Sequence, residues 1–144
     1  MTPTPNSYIR FAPRDTDPSI VVPDSTWFCP LLIPTFDGLA PFTSHFSQDG
    51  QLILQPQCAG NWRIRGCYTL ENAAPANGVK LAITNTTSGK QVIFASATRQ
   101  VQGEDILRCG DGDVIRVEIQ QTEGSNQNLG TSAGNFITLE YLGA

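Results

Sequence analysis

Residues 61–70, NWRIRGCYTL, alternate with a period of two: Trp62, Ile64, Tyr68 and Leu70 share one face with Gly66, while Arg63, Arg65, Cys67 and Thr69 share the other. An apolar face opposite a polar one at that period predicts a half-buried β-strand. The same texture runs from about His45 onward. QLIL (51–54) follows a QDG turn, and NGVKLAITNTT (77–87) and KQVIFASATRQ (90–100) predict a hairpin through TSG. Leu81 and Ile83 fall on one face of its first strand, Val92 and Phe94 on one face of its second. EDILR (104–108) reads as a short strand, and DVIRVEIQQ (113–121) sets Ile115, Val117 and Ile119 on one face. NFITLEYLG (135–143) alternates Ile137, Leu139 and Tyr141 against Phe136, Thr138 and Glu140. With no convincing helix and roughly eight to ten short strands, the pattern predicts an all-β fold, a two-sheet antiparallel jelly-roll sandwich.

Composition points the same way. The chain has 144 residues, 40% hydrophobic and 15% charged, with 13 glycines and 10 prolines, so it is rich in turn formers and long enough to bury a core without disulfide staples. Eight of the prolines precede Thr43. Proline fixes φ and lacks an N–H, so residues 1–42 are expected to run extended, as neither helix nor central strand, ahead of a jelly-roll domain at 43–144. Tyr8, Ile9, Phe11, Ile20, Val21, Val22 and Trp27 make this arm too apolar to be left in water, so it should lie on its own domain, a sister subunit or another protein.

The formal net charge is −4 and no Lys/Arg cluster occurs, which argues against a nucleic-acid partner. No apolar stretch approaches the roughly 18 residues of a membrane span, and MTPTPNSYIRF lacks a signal-peptide layout, so a protein made in a cytoplasm is expected. Cys29, Cys58, Cys67 and Cys109 show neither CxxC spacing nor histidine partners, and read as buried free thiols, a Cys58–Cys67 disulfide being the alternative.

Candidate chemistry is sparse. The corner CGDGD (109–113) fails as a calcium loop, because Ile115 stands where a third oxygen ligand belongs and Arg116 where glycine belongs. It reads as a turn whose aspartates hydrogen-bond locally, with a structural cation on Asp111 and Asp113 left as the alternative. His45 is the single histidine, in TSHFS, with no activated nucleophile beside it. Glu104 and Asp105 are adjacent acids, whereas glycosidase chemistry needs two facing each other across a cleft. Arg63 and Arg65 either meet an acidic surface or pair with residues such as Glu118. Trp62 reads as core, and Trp27 lacks an evident partner. No catalytic residue, metal ligand or cofactor site is assigned, and the chain is not expected to be an enzyme.

Three stretches, AGNWRIRGCYTL, ILRCGDGDVIRVEIQQTEG and GNFITLEYLG, carry a resemblance to the jelly-roll module of tumour necrosis factors and complement-type globular heads, a module that bacteriophages use in capsid decoration (cement) proteins and fibre heads. The resemblance runs from about Phe46 to Gly143. It implies a homotrimer that buries strand faces around a threefold axis, a dimer being the alternative. It further implies a virion structural protein on the outer surface of a phage capsid, with the major capsid protein as partner. The arm, through Tyr8, Ile9, Phe11, Ile20, Val21, Val22 and Trp27, is the expected grip, and deleting residues 1–25 should then leave a folded oligomer. The alternative role is a receptor- or glycan-binding head of a phage tail or head fibre.

Overall fold

The structure is a computed structural model that describes residues 3–13, 20–30, 32–40, 42–48, 51–71, 78–129 and 134–144, with backbone alone at 45–48 and 51–54. Its strands are β1 (Tyr8–Ala12), β2 (Val21–Val22), β3 (Ile33–Asp37), β4 (Thr43–Gln48), β5 (Gln51–Pro56), β6 (Gly60–Thr69), β7 (Val79–Asn85), β8 (Gln91–Ser96), β9 (Gln100–Cys109), β10 (Ile115–Gln121), β11 (Gln127–Asn128) and β12 (Phe136–Gly143). No helix occurs among the described residues. A first sheet has the order β3-β1-β12-β6-β9, a second β4-β5-β10-β7-β8, and β11 pairs with β2 alone. The strand pairs are antiparallel. This is the two-sheet sandwich that the alternation predicts.

The predicted inward faces are the buried ones. Trp62, Ile64 and Tyr68 of β6 meet Leu81 and Ile83 of β7, Ile115, Val117 and Ile119 of β10, and Ile137, Leu139 and Tyr141 of β12 in one cluster. Each fully buried large aliphatic side chain there is worth about 1.5–3 kcal/mol of transfer free energy. Two glycines set how closely the sheets approach. Gly66 and Gly103 are direct partners across β6 and β9. A Cβ on Gly66 would stand 2.5 Å from Leu81 Cδ2, and one on Gly103 would strike the ring of Phe94. Strand β9 begins at Gln100, earlier than EDILR suggests, because Val101 and Gly103 continue the inward face and pair with Tyr68 and Gly66.

The Pro-rich segment corrects the expectation that it holds no central strand. β1 lies between β3 and β12, with Ile9 opposite Leu139 and Phe11 opposite Ile137, and both side chains are fully buried. Its prolines flank YIRFA and do not interrupt it, so every N–H of β1 is free to join a ladder. Pro34 falls in β3, at the sheet edge, where a missing N–H is tolerated, and the β1–β3 register shifts beside it. Ile9, Phe11, Val22, Leu32 and Leu39 belong to the same core cluster as Trp62 and Ile115, so no separate core begins at residue 43.

Residues 20–28 are tied down as well. Phe28 and Ile119 exchange backbone hydrogen bonds at 2.8 Å each way, Ser25 N donates to Gln121 O at 2.8 Å, and Leu129 N donates to Ile20 O at 2.9 Å. Fully buried Gln121 clamps this segment: its Nε2 donates to Val22 O (3.1 Å) and Ser125 O (2.8 Å), while its Oε1 accepts from Glu123 N (2.7 Å). Leaving such a buried amide unpaired costs about 1–3 kcal/mol.

Two outcomes follow. Deleting residues 1–25 removes β1 and β2, so the product should lose cooperative thermal unfolding by circular dichroism, the reverse of the expectation drawn from sequence. Gly103→Ala should lower stability by about 1–3 kcal/mol in chemical denaturation, because the new methyl has to displace the Phe94 ring.

Candidate interaction surface

The solvent face of the first sheet gathers most of the exposed chemistry. Register places Tyr8, Glu140, Arg63 and Ile106 in one row across β1, β12, β6 and β9, and Arg10, Thr138, Arg65 and Glu104 in the next. Phe136, Cys67 and Gln102 form a third. Within these three rows, alternation on four adjacent strands thus brings three arginines and two glutamates onto one surface. Arg63 Nη1 donates to Glu140 Oε1 at 2.9 Å, and Arg65 donates from Nε (3.0 Å) and Nη2 (2.8 Å) to Glu104 Oε2. Pairs this accessible add at most about 1 kcal/mol each while they face water. The Arg10 guanidinium sits 5.0 Å over the Phe136 ring and its Nη1 donates to Thr35 Oγ1 at 3.0 Å.

Apolar groups lie toward the edges of this face. Tyr8 stacks on Phe36 with ring centroids 4.7 Å apart, both rings being well exposed, and Ile106 on edge strand β9 is 54% exposed. Between them are two shallow depressions, one lined by Tyr8, Arg63, Arg65, Thr138 and Glu140, the other by Arg65, Cys67, Gln102, Glu104 and Phe136. Arg63 and Arg65 share a face, as the alternation predicts, but Glu118, the partner expected from sequence, is not theirs. Glu118 instead takes Arg116 at 3.0 Å on β10. The sequence does not single out Arg10, Phe36 or Ile106, and it places Phe136 and Glu140 only on an outward face, since strand order alone brings the five together.

The seven arm residues divide. Ile9, Phe11 and Val22 are fully buried in the core, and Ile20 is partly buried against it. Tyr8 joins the first sheet's face. Val21 (47% exposed) and Trp27 (40%) project from the segment held along β10 and β11. Among the described residues no group of three or more His, Cys, Asp or Glu side chains gathers. Glu104 binds Arg65, while neighbouring Asp105 Oδ1 accepts from Ile106 N at 2.7 Å, so the two acids do not face each other across a cleft. His45 lies in β4, and its side chain is outside the described residues. All four cysteines are free and buried. Burial, then the charge of Asp113, pushes the Cys109 thiol up to about 12, and burial with Glu118 pushes Cys29 up to about 11. Both stay protonated and are poor nucleophiles at neutral pH.

The CGDGD corner is a turn. Asp113 Oδ2 accepts from Gly110 N at 2.7 Å and from Nδ2 of fully buried Asn85 at 2.9 Å, while Asn85 Oδ1 accepts from the N–H groups of Thr87 and Ser88, both at 3.1 Å. Gly112, at φ 79°, supplies the left-handed residue and donates its N–H to Pro56 O at 2.8 Å. The carboxylate thereby ties the β7–β8 hairpin to the β9–β10 turn. The hydrogen bonds from Asn85 and Gly110 hold the Asp113 carboxyl below its ordinary value of 3.8. A lowered native value means that the stabilisation is fully present above the ordinary value and is lost as pH falls through the native one. Asp113→Ala should therefore cost about 1–2 kcal/mol at pH 7. The gap in melting temperature between wild type and variant should narrow below about pH 4.

No protein-family model and no curated protein matches the chain. Solved structures do. Murine APRIL superposes with a TM-score of 0.66 at 13% identity over 95% of this chain and 99% of that one. Eiger TNF from S. frugiperda gives 0.64 at 15% over 96% and 94%, and the PRD1 vertex protein P5 gives 0.63 at 11% over 96% and 99%. At such identities the likeness is one of fold: the chain has a jelly-roll fold similar to those of these proteins.

Proposed function

We propose that this chain is a non-enzymatic structural subunit of a bacteriophage particle, an oligomer that decorates and stabilises the outer surface of the capsid. The observation that carries the reading is the solvent face of the first sheet. Its apolar groups differ from one edge to the other, the Tyr8–Phe36 stack on one side and Ile106 on the opposite side. Unlike patches fit a head-to-tail contact, which closes as a ring, better than a self-matching twofold. A homotrimer is the ring that the jelly-roll resemblance implies. Withdrawn from water in such a contact, the Arg63–Glu140 and Arg65–Glu104 pairs would fix register more than they would add affinity.

In this reading the major capsid protein is met by the segment along β10 and β11. Its hydrogen bonds to those strands hold Val21 and Trp27 in place before any partner arrives, which lowers the ordering cost of attachment. Ile9, Phe11 and Val22 serve the core, so the grip falls to the exposed members of the arm. Identical sites repeated over a shell make even a weak contact strong once subunits are joined.

A second reading is a receptor- or glycan-binding head at a vertex or fibre. Its support is the fold likeness to a phage vertex protein. Copy number separates the two in cryo-electron microscopy of native particles: hundreds of subunits over the shell mean decoration, and density confined to vertices or fibre tips means the second role. Ile106→Lys should convert the oligomer to monomers in sedimentation while leaving thermal unfolding of the monomer intact. An unchanged oligomer rules out the sheet face as its interface. Val21→Asp combined with Trp27→Ala should weaken binding to undecorated capsids by about a hundredfold, the loss expected from two anchor residues.

A further inference from the structure

Sheet edges need a device against pairing with a stray strand. β3 has Pro34 and a register shift, and β9 has Glu104, Asp105 and Arg108. β8 has neither kind: QVIFAS holds no charge and no proline, and it pairs with β7 without a shift. No second strand pairs with it among the described residues. Asn85 N donates to Lys90 O at 2.8 Å, which fixes the alternation: Lys90, Val92, Phe94 and Ser96 turn their backbone groups toward β7. Those of Gln91, Ile93 and Ala95 point outward. The side chains of the same three residues are exposed, Ile93 by 51%. Beneath them Phe94 is seated over Gly103, so this unguarded edge is held firmly by the core.

We propose that β8 pairs antiparallel with β8 of a second copy of this chain, about a twofold axis at Ile93. In that register Ile93 faces the partner's Ile93, and Gln91 faces the partner's Ala95. Each of these pairs exchanges both of its free backbone hydrogen bonds. On the sheet faces Ile93 gains an apolar cross-strand neighbour, and Val92 meets the partner's Phe94. A twofold sets each residue against itself or its mirror position, so any charge near the axis would meet its like. β8 has none: Lys90 and Arg99 lie beyond its ends, and Lys80, opposite Ala95 on β7, stands one strand back from the pairing edge and off the axis. That absence favours a second copy over a charged foreign peptide. Six residues bury far less than the roughly 1,600 Å² of a standard interface, so one pairing is weak and gains strength where an oligomer presents several. This contact uses an edge of the second sheet and is independent of the first sheet's face.

The test uses the full chain in sedimentation velocity across a concentration series. Ile93→Lys sets two ammonium groups at the axis and should raise the dissociation constant of the pairing by about a hundredfold, halving the mass of the largest species. Its melting temperature as the smaller species should be unchanged. Ile106→Lys, by contrast, should leave the β8 pairing intact. As a second readout, Ile93→Cys should form a symmetric disulfide under mild oxidation, the native thiols being buried. Gln91→Cys mixed with Ala95→Cys should cross-link, while each alone should not. An unchanged mass series for Ile93→Lys together with no preferential cross-link overturns the proposal. It is equally overturned if Ile93→Lys leaves self-association unaltered but abolishes capsid binding, since the edge would then serve a foreign strand.

Discussion

The spacing between the two sheets rests on a pair of missing side chains. Gly66 and Gly103 stand opposite each other on β6 and β9, and into the room they leave come Leu81 and Ile137 on one and Phe94 on the other. Protein interiors are packed as densely as organic crystals, so an added methyl has no slack to occupy. With the sheets at this distance, Trp62, Tyr68, Ile83 and Ile119 reach a common core. The same closeness holds the edge strands β8 and β9 against each other at one side of the sandwich. The exposed surfaces on both sheets therefore inherit their rigidity from two residues that contribute no side chain.

Alternation made the middle and end of the chain legible. Every strand whose inward residues were large and whose outward residues were polar was read with the correct face, because a one-residue slip would send Ile115, Val117 and Ile119 into water. The Pro-rich segment was harder. Proline density suggests one behaviour for the whole stretch, whereas its effect is positional: in YIRFA no ladder N–H is missing, and Pro34 sits where none is needed. Local composition does not reveal which strand lies at an edge, since that depends on partners far away in sequence.

The surface was partly legible for the same reason. Arg63 and Arg65 share a face in any reading of their strand. That Glu140 and Glu104 neutralise them, and that Tyr8 and Ile106 close the same rows, follows from the order β1-β12-β6-β9, which no single stretch encodes. The CGDGD corner was decided locally, by failed ligand spacing. Its deeper role, a carboxylate shared between the turn and the amide of Asn85 on another hairpin, needed the fold.

The pairing of β1 with β12 also has a consequence in time. β1 is made early, but its neighbours are β3 and β12, and the ladder to β12 must wait until residues 136–143 have been synthesised. Contacts this distant in sequence close slowly, because the loop entropy is spent before any pairing rewards it. Until then Ile9 and Phe11 have no core to enter, and the prolines on either side of YIRFA discourage the waiting segment from extending its pairing into a neighbouring chain. The prolines that mark the segment as an extended arm thus also bear on synthesis, guarding a strand whose place in the sheet is among the last to open.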